Sequence, residues 1–170
     1  KQAVISEPLY WHMIGSLQTN KLKYVVGKTV LIHSVDSEHL GEAINAESEK
    51  RNVISDVLLE INVAAESSKH GITPEEAENT IRNLSKLPYI RIRGLMTVAP
   101  YTENAEENRC YFAKLRQLAV DIKNENIDNI CVDILSMGMS GDYEVAVEEG
   151  ASYVRVGTGI FGERDYGQAK

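Results

Sequence analysis

Two cysteines, four prolines, one tryptophan and two phenylalanines among 170 residues leave little with which to staple, kink or stack this chain. Cys110 and Cys131 lie far apart and form no C-x-x-C pair or Cys/His cluster, which excludes a zinc site and a redox pair. The expectation is two reduced, partly buried thiols. Basic residues are also scarce, 18 Lys and Arg against 25 Asp and Glu, for a net charge of −7. Proteins that neutralise a phosphate backbone carry a clustered basic excess, so nucleic acid is not an expected partner. No apolar run approaches the roughly 18 residues of a membrane helix, and KQAVISEPLYWH lacks the apolar core of a signal peptide. A cytoplasmic protein with no membrane partner is therefore expected. What is present, 43% hydrophobic and 25% charged residues, suffices for one globular core, since a chain of this length buries about 70% of its unfolded surface.

Six short apolar or β-branched runs bounded by turn residues predict strands near 11–17, 30–35, 57–63, 90–98, 130–136 and 153–157. Helical patterns separate them. A short helix is predicted over Asn20 to Val26, stopped by Gly27, and a second follows a cap at Asp36 or Ser37. Thr73, Pro74 and Glu76 form a capping box ahead of Ala77, Ile81 and Leu84 on one face. A fourth helix starts near Asn104, and Ser140 is expected to cap a fifth that stops at Gly150. Strands alternating with helices mean βαβ units and a parallel sheet, and runs such as DVLLEINV lack the alternation of a one-faced strand. Either a doubly wound open sheet or a (β/α) barrel meets this pattern.

Several motifs fail on inspection. Gly27-Lys28-Thr29 resembles the end of a P-loop, but Leu22 stands where its first glycine belongs. Gly157 to Gly162 reads G-x-G-x-x-G, yet a dinucleotide site needs a further strand and an acidic residue about 20 positions on. Only eight residues follow Gly162. These glycines make better sense after the last strand of a barrel, where backbone N–H groups form a phosphate cup. The run Ser136 to Ser140 supplies a second small, donor-rich loop beside it. Arg155 lies inside the apolar strand Tyr153-Val154-Arg155-Val156, where an unpaired guanidinium would be costly, so it must meet a carboxylate or a ligand. Arg91 and Arg93 open their strand and are expected to be solvated or ion-paired. His12, His33, His39 and His70 show no metal-ligand spacing and are expected to be structural, while Glu60 and Asp133 stay unassigned.

WHMIGSLQTNK at 11–21, LIHSVDS at 31–37, EINVAAESSKHGI at 60–72, IRGLMTV at 92–98, LSMGMSGD at 135–142 and VRVGTGIFGERDY at 154–166 together resemble the YggS/PROSC-type pyridoxal 5′-phosphate (PLP) homeostasis family. The resemblance implies a (β/α)8 TIM barrel of the alanine racemase N-terminal type, with about six of its eight strands in this chain, forming one PLP-binding domain over residues 1–170. It implies that Ser136, Gly157 and Thr158 hold the cofactor phosphate and that Arg155 faces the pyridine nitrogen. A permanently protonated arginine there weakens the ring as an electron sink. The implied role is buffering or delivery of PLP with no established turnover, PLP-dependent apo-enzymes as recipients, and a monomer or weak homodimer. An amino-acid racemase of the same fold and a phosphosugar-handling barrel enzyme are the alternatives.

The family attaches PLP through a lysine on the first barrel strand, in a segment reading like V-S-K-T, and that segment is not found. Lys21, Lys23 and Lys28 fall in or beside the first helix, Lys69 in a loop, and Lys50, Lys86, Lys114 and Lys123 on helical or connecting segments. Six strands would leave two open edges, and a barrel usually takes about 200 residues or more. The expectation is thus the larger, C-terminal portion of a family member, lacking strands one and two and the Schiff-base lysine.

Overall fold

The computed structural model describes residues 8–64 and 70–163. Six parallel strands lie side by side in chain order: β1 (His12–Met13), β2 (Leu31–Val35), β3 (Ser55–Glu60), β4 (Ile90–Met96), β5 (Ile130–Met139) and β6 (Tyr153–Arg155). A doubly wound sheet reverses direction at a switch point. This one never reverses, which selects the barrel-type winding over the open sheet. The sheet curls so far that the rings of His12 on β1 and Tyr153 on β6 stand 5.2 Å apart.

Helices α1 (Glu38–Arg51), α2 (Pro74–Leu84), α3 (Arg109–Asn124), α4 (Tyr143–Glu148) and the single turn α5 (Thr158–Phe161) occupy the connections. Ser37 caps α1 by accepting from the Leu40 N–H at 3.3 Å. The Thr73/Glu76 capping box forms as expected, with Pro74 in the first turn of α2. Because alternate strand residues face opposite sides, the sheet feeds two cores. Ile32, Val57, Leu59 and Leu95 pack outward against Leu40, Ile44, Ile81 and Phe112 of the helices. Leu31, Leu58, Met96 and Ile134 pack together on the concave face. No helix among the described residues is long and apolar enough to cross a membrane.

Four expectations are corrected. The first strand is two residues long, pairing only His12 with Leu31 and Met13 with Ile32. The predicted first helix is a 3-10 turn over Thr19–Tyr24, which buries only Leu22. Strand β5 runs three residues further, to Met139. Ser140 does not cap α4: Asp142 holds that position, and the Ser140 hydroxyl is engaged elsewhere. Both cysteines are free, with Cys110 exposed and Cys131 half-buried. Arg91 and Arg93 both pair with Asp56, at 2.7 and 3.2 Å, as expected of charges at the start of β4.

Candidate functional site

The C-terminal ends of the strands carry two polar groups of residues, one inside the curl of the sheet and one on its rim. Alternation along the strands puts His33, Glu60, Ser136, Tyr153 and Arg155 on the concave side with Met96 and Ile134. Arg155 is 8% exposed and Ser136 fully enclosed. One Arg155 Nη1–H donates to Ser136 Oγ at 2.7 Å, and an Nη2–H donates to the Thr97 carbonyl at 2.7 Å. Both acceptors are neutral. Glu60 and Asp142 attract the guanidinium through space, but no carboxylate among the described residues comes within ion-pair distance of it. Burial accordingly pulls the Arg155 pKa down, and the Glu60 carboxyl is pushed up by its own burial and by Asp36 nearby.

His33 closes the inner group. Its Nδ1 lies 2.8 Å from Ser136 Oγ and its Nε2 2.9 Å from Nδ1 of His12. Burial, then the neighbouring His12 and Arg155, bring its pKa from the usual 6.5 to about 4, so it is neutral near pH 7. The Tyr153 ring meets both imidazoles edge-on.

On the rim, the loop after β6 folds back on Ser140. The N–H groups of Gly157 and Gly159 both donate to Ser140 Oγ, at 3.0 and 3.1 Å. Two backbone donors converging on one oxygen form a concave nest of the kind that holds anions. A Cβ on Gly159 would press on Val156 Cγ1 at 3.2 Å and reach only ordinary contact with the Ser140 Cβ at 3.6 Å, so a larger, branched side chain is needed to intrude on the nest. A cavity of about 970 Å³ opens beside it, lined in part by Ser140, Asp142, Gly157, Thr158, Tyr101 and Phe161. Asp142 braces the wall: its carboxylate accepts from the Met139 N–H at 2.6 Å and from the Asn108 amide at 2.8 Å.

The four residues singled out by sequence thus fall into two pairs. Ser136 touches Arg155 within the curl, while Gly157 and Thr158 lie on the rim with Ser140. Ser140, expected both as a helix cap and in the donor-rich loop, keeps only the second place, and His33, expected to be structural, joins the inner group. The signal that exposed Arg155, a polar side chain in an apolar strand, was equally present in Leu31-Ile32-His33-Ser34-Val35. Asp133, the other strand carboxylate left unassigned, faces away and pairs with Lys123 at 2.7 Å. No cluster of three metal-binding side chains occurs among the described residues.

Residues 1–165 match the profile of the alanine racemase N-terminal domain. The chain belongs to that family. It is 49% identical over 158 residues to the pyridoxal phosphate homeostasis protein of Aquifex aeolicus, covering 93% of this chain and 68% of that protein. The protein of the same name from Pseudomonas aeruginosa is 38% identical over 168 residues, covering 98% of this chain and 70% of the relative. Among solved structures, PipY of Synechococcus elongatus PCC7942 with PLP bound superposes with a TM-score of 0.82 at 34% identity, over 92% of this chain and 72% of that one. These relatives carry the family name to which the sequence resemblance pointed, and the strand winding agrees with the barrel expected of it.

Proposed function

We propose that this chain binds pyridoxal 5′-phosphate and serves in its homeostasis, buffering the cofactor or delivering it to PLP-dependent apo-enzymes in the cytoplasm. The observation that carries the reading is the pairing of an anion nest with a buried cation that has no carboxylate partner among the described residues, at one end of one sheet. A phosphate oxygen taking the place of the Ser140 hydroxyl between the Gly157 and Gly159 N–H groups, with Thr158 at the edge, would be held by the same two donors. Arg155 fits the ring nitrogen: a guanidinium only donates, so it would bond the nitrogen's lone pair and keep it unprotonated. Bound PLP supplies an aldehyde and an electron-accepting ring. The named relatives and the PLP-bound PipY structure support this assignment.

Covalent attachment needs an amine directed into the curl, and no lysine among the described residues lies on a strand. Lys21 and Lys23 sit in the 3-10 turn, Lys50 on α1, Lys114 and Lys123 on α3, and Lys28 and Lys86 in connections. Lys69 is outside the described residues. The residues described here therefore bind and orient, holding the phosphate by main-chain N–H groups and the ring by Arg155. The carboxylate excess gives no footing for nucleic acid, and we assign the chain a monomer or weak homodimer.

Pyridoxine 5′-phosphate, which has no aldehyde and cannot attach to a lysine, tests the reading by fluorescence titration. The expected result is saturable one-to-one binding that weakens at least tenfold in Arg155→Ala and in Gly159→Val, on the scale of about 1.4 kcal/mol per decade. Absence of saturable binding, or binding indifferent to both substitutions, would overturn it.

A further inference from the structure

We propose that His33, acting through Ser136, is a positioning residue that fixes the plane of the Arg155 guanidinium, with His12 completing the relay. This rests on the PLP-binding role assigned above to Arg155. Arg155 Nη1 can only donate, so Ser136 Oγ accepts at that 2.7 Å contact and must place its own hydrogen elsewhere. The acceptor within reach is His33 Nδ1, at 2.8 Å. Nδ1 is then unprotonated, His33 carries its hydrogen on Nε2, and that N–H donates to His12 Nδ1 at 2.9 Å. In the opposite assignment His33 donates to Ser136, whose hydroxyl hydrogen is left without an acceptor among the described residues in an enclosed site. A single ordering satisfies every group: His33 to His12, Ser136 to His33, Arg155 to Ser136.

This ordering has a geometric result. A guanidinium held at Nη1 alone could rotate about its bonds, but with Nη2 tied to the Thr97 carbonyl its plane is set by two points, Ser136 on β5 and Thr97 just past β4. Ser136 can serve as the first point only while His33 offers a lone pair. Burial of His33 keeps that lone pair available across the neutral range. The Tyr153 ring, 5.2 and 5.8 Å from the two imidazoles, restrains both from the side. The relay makes no contact with the Gly157/Gly159 nest, so it governs the ring-facing cation and leaves the anion nest alone.

The test uses His33→Leu, Ser136→Ala, the double variant and the conservative His33→Asn, whose Oδ1 can take the place of Nδ1 as acceptor. In the ligand-free protein the Arg155 Nε–H resonance in a 15N-correlated spectrum should be sharp in wild type and His33→Asn, and broadened or shifted towards free arginine in the others. Pyridoxine 5′-phosphate binding should weaken about tenfold in His33→Leu and in Ser136→Ala, the scale of one hydrogen bond to a charged group. The double variant should be no weaker than either single one. Inorganic phosphate binding should be unchanged in His33→Leu and His33→Asn. His33→Asn behaving like His33→Leu, an unaltered Arg155 resonance in Ser136→Ala, or phosphate affinity falling in parallel would each overturn the relay. Failure of wild type to bind pyridoxine 5′-phosphate would overturn the functional reading instead, and the resonance would still decide the relay.

Discussion

Acid should destabilise this fold through His33 in particular. In the unfolded chain its imidazole takes up a proton near 6.5, whereas in the fold it resists until about 4. As pH falls through 6.5 the unfolded state gains protons that the folded state refuses, so stability is fully present above that value and drains away down to about 4. The whole shift corresponds to about 3 kcal/mol, and at about pH 4.5 the loss relative to pH 7.5 should be about 2.5 kcal/mol. That is a large share of the roughly 5–15 kcal/mol that holds a typical domain together. Urea unfolding followed by circular dichroism, run at both pH values on wild type and His33→Asn, isolates this contribution because asparagine does not titrate and every other group is common to both. The wild type should lose about 2.5 kcal/mol more than the variant between the two conditions. Equal losses in the two proteins would refute the burial and hydrogen-bond assignment of His33.

Two further outcomes are expected. Glu60→Gln should raise the melting temperature near pH 7.5 and lose that advantage towards pH 4, because a carboxyl whose pKa is raised penalises the fold only where it is ionised; a pH-independent gap would contradict this. Gly94→Ala should abolish folding or cost more than about 4 kcal/mol in denaturant titration, since φ is 156° there and a Cβ would run into the Ile134 carbonyl of β5, backbone that cannot rotate aside; near-wild-type stability would show that the register between β4 and β5 is misassigned.

Much of the barrel was legible because its signals are local. Apolar runs end at turn residues, and the Thr73-Pro74-Glu75-Glu76 cap announces α2 from four adjacent positions. Arg155 was legible for the same reason, as one charge among apolar neighbours. The division of labour between Ser136 and Ser140 was not, because it depends on where β5 stops. Carrying the strand to Met139 places Ser136 inside the curl opposite Tyr153 and leaves Ser140 at the rim. The register shift between Ser136 and Met139 that separates them arises from pairing with β6, a partner no local pattern names. The brevity of β1 likewise follows its pairing with β2, which takes in only His12 and Met13, and not the apolar content of residues 11–17.

Thr97, which follows β4, commits each of its polar groups to a different piece of chain. Its N–H donates to the Ser136 carbonyl at 3.1 Å, its hydroxyl donates to the Ile61 carbonyl at 2.7 Å, and its own carbonyl accepts from Arg155. None of the neighbouring strand ends can peel away without breaking a bond at this residue. Local opening on this rim is therefore cooperative, and the amide of Thr97 should exchange with solvent on the slow timescale of the sheet interior while the loops on either side exchange freely.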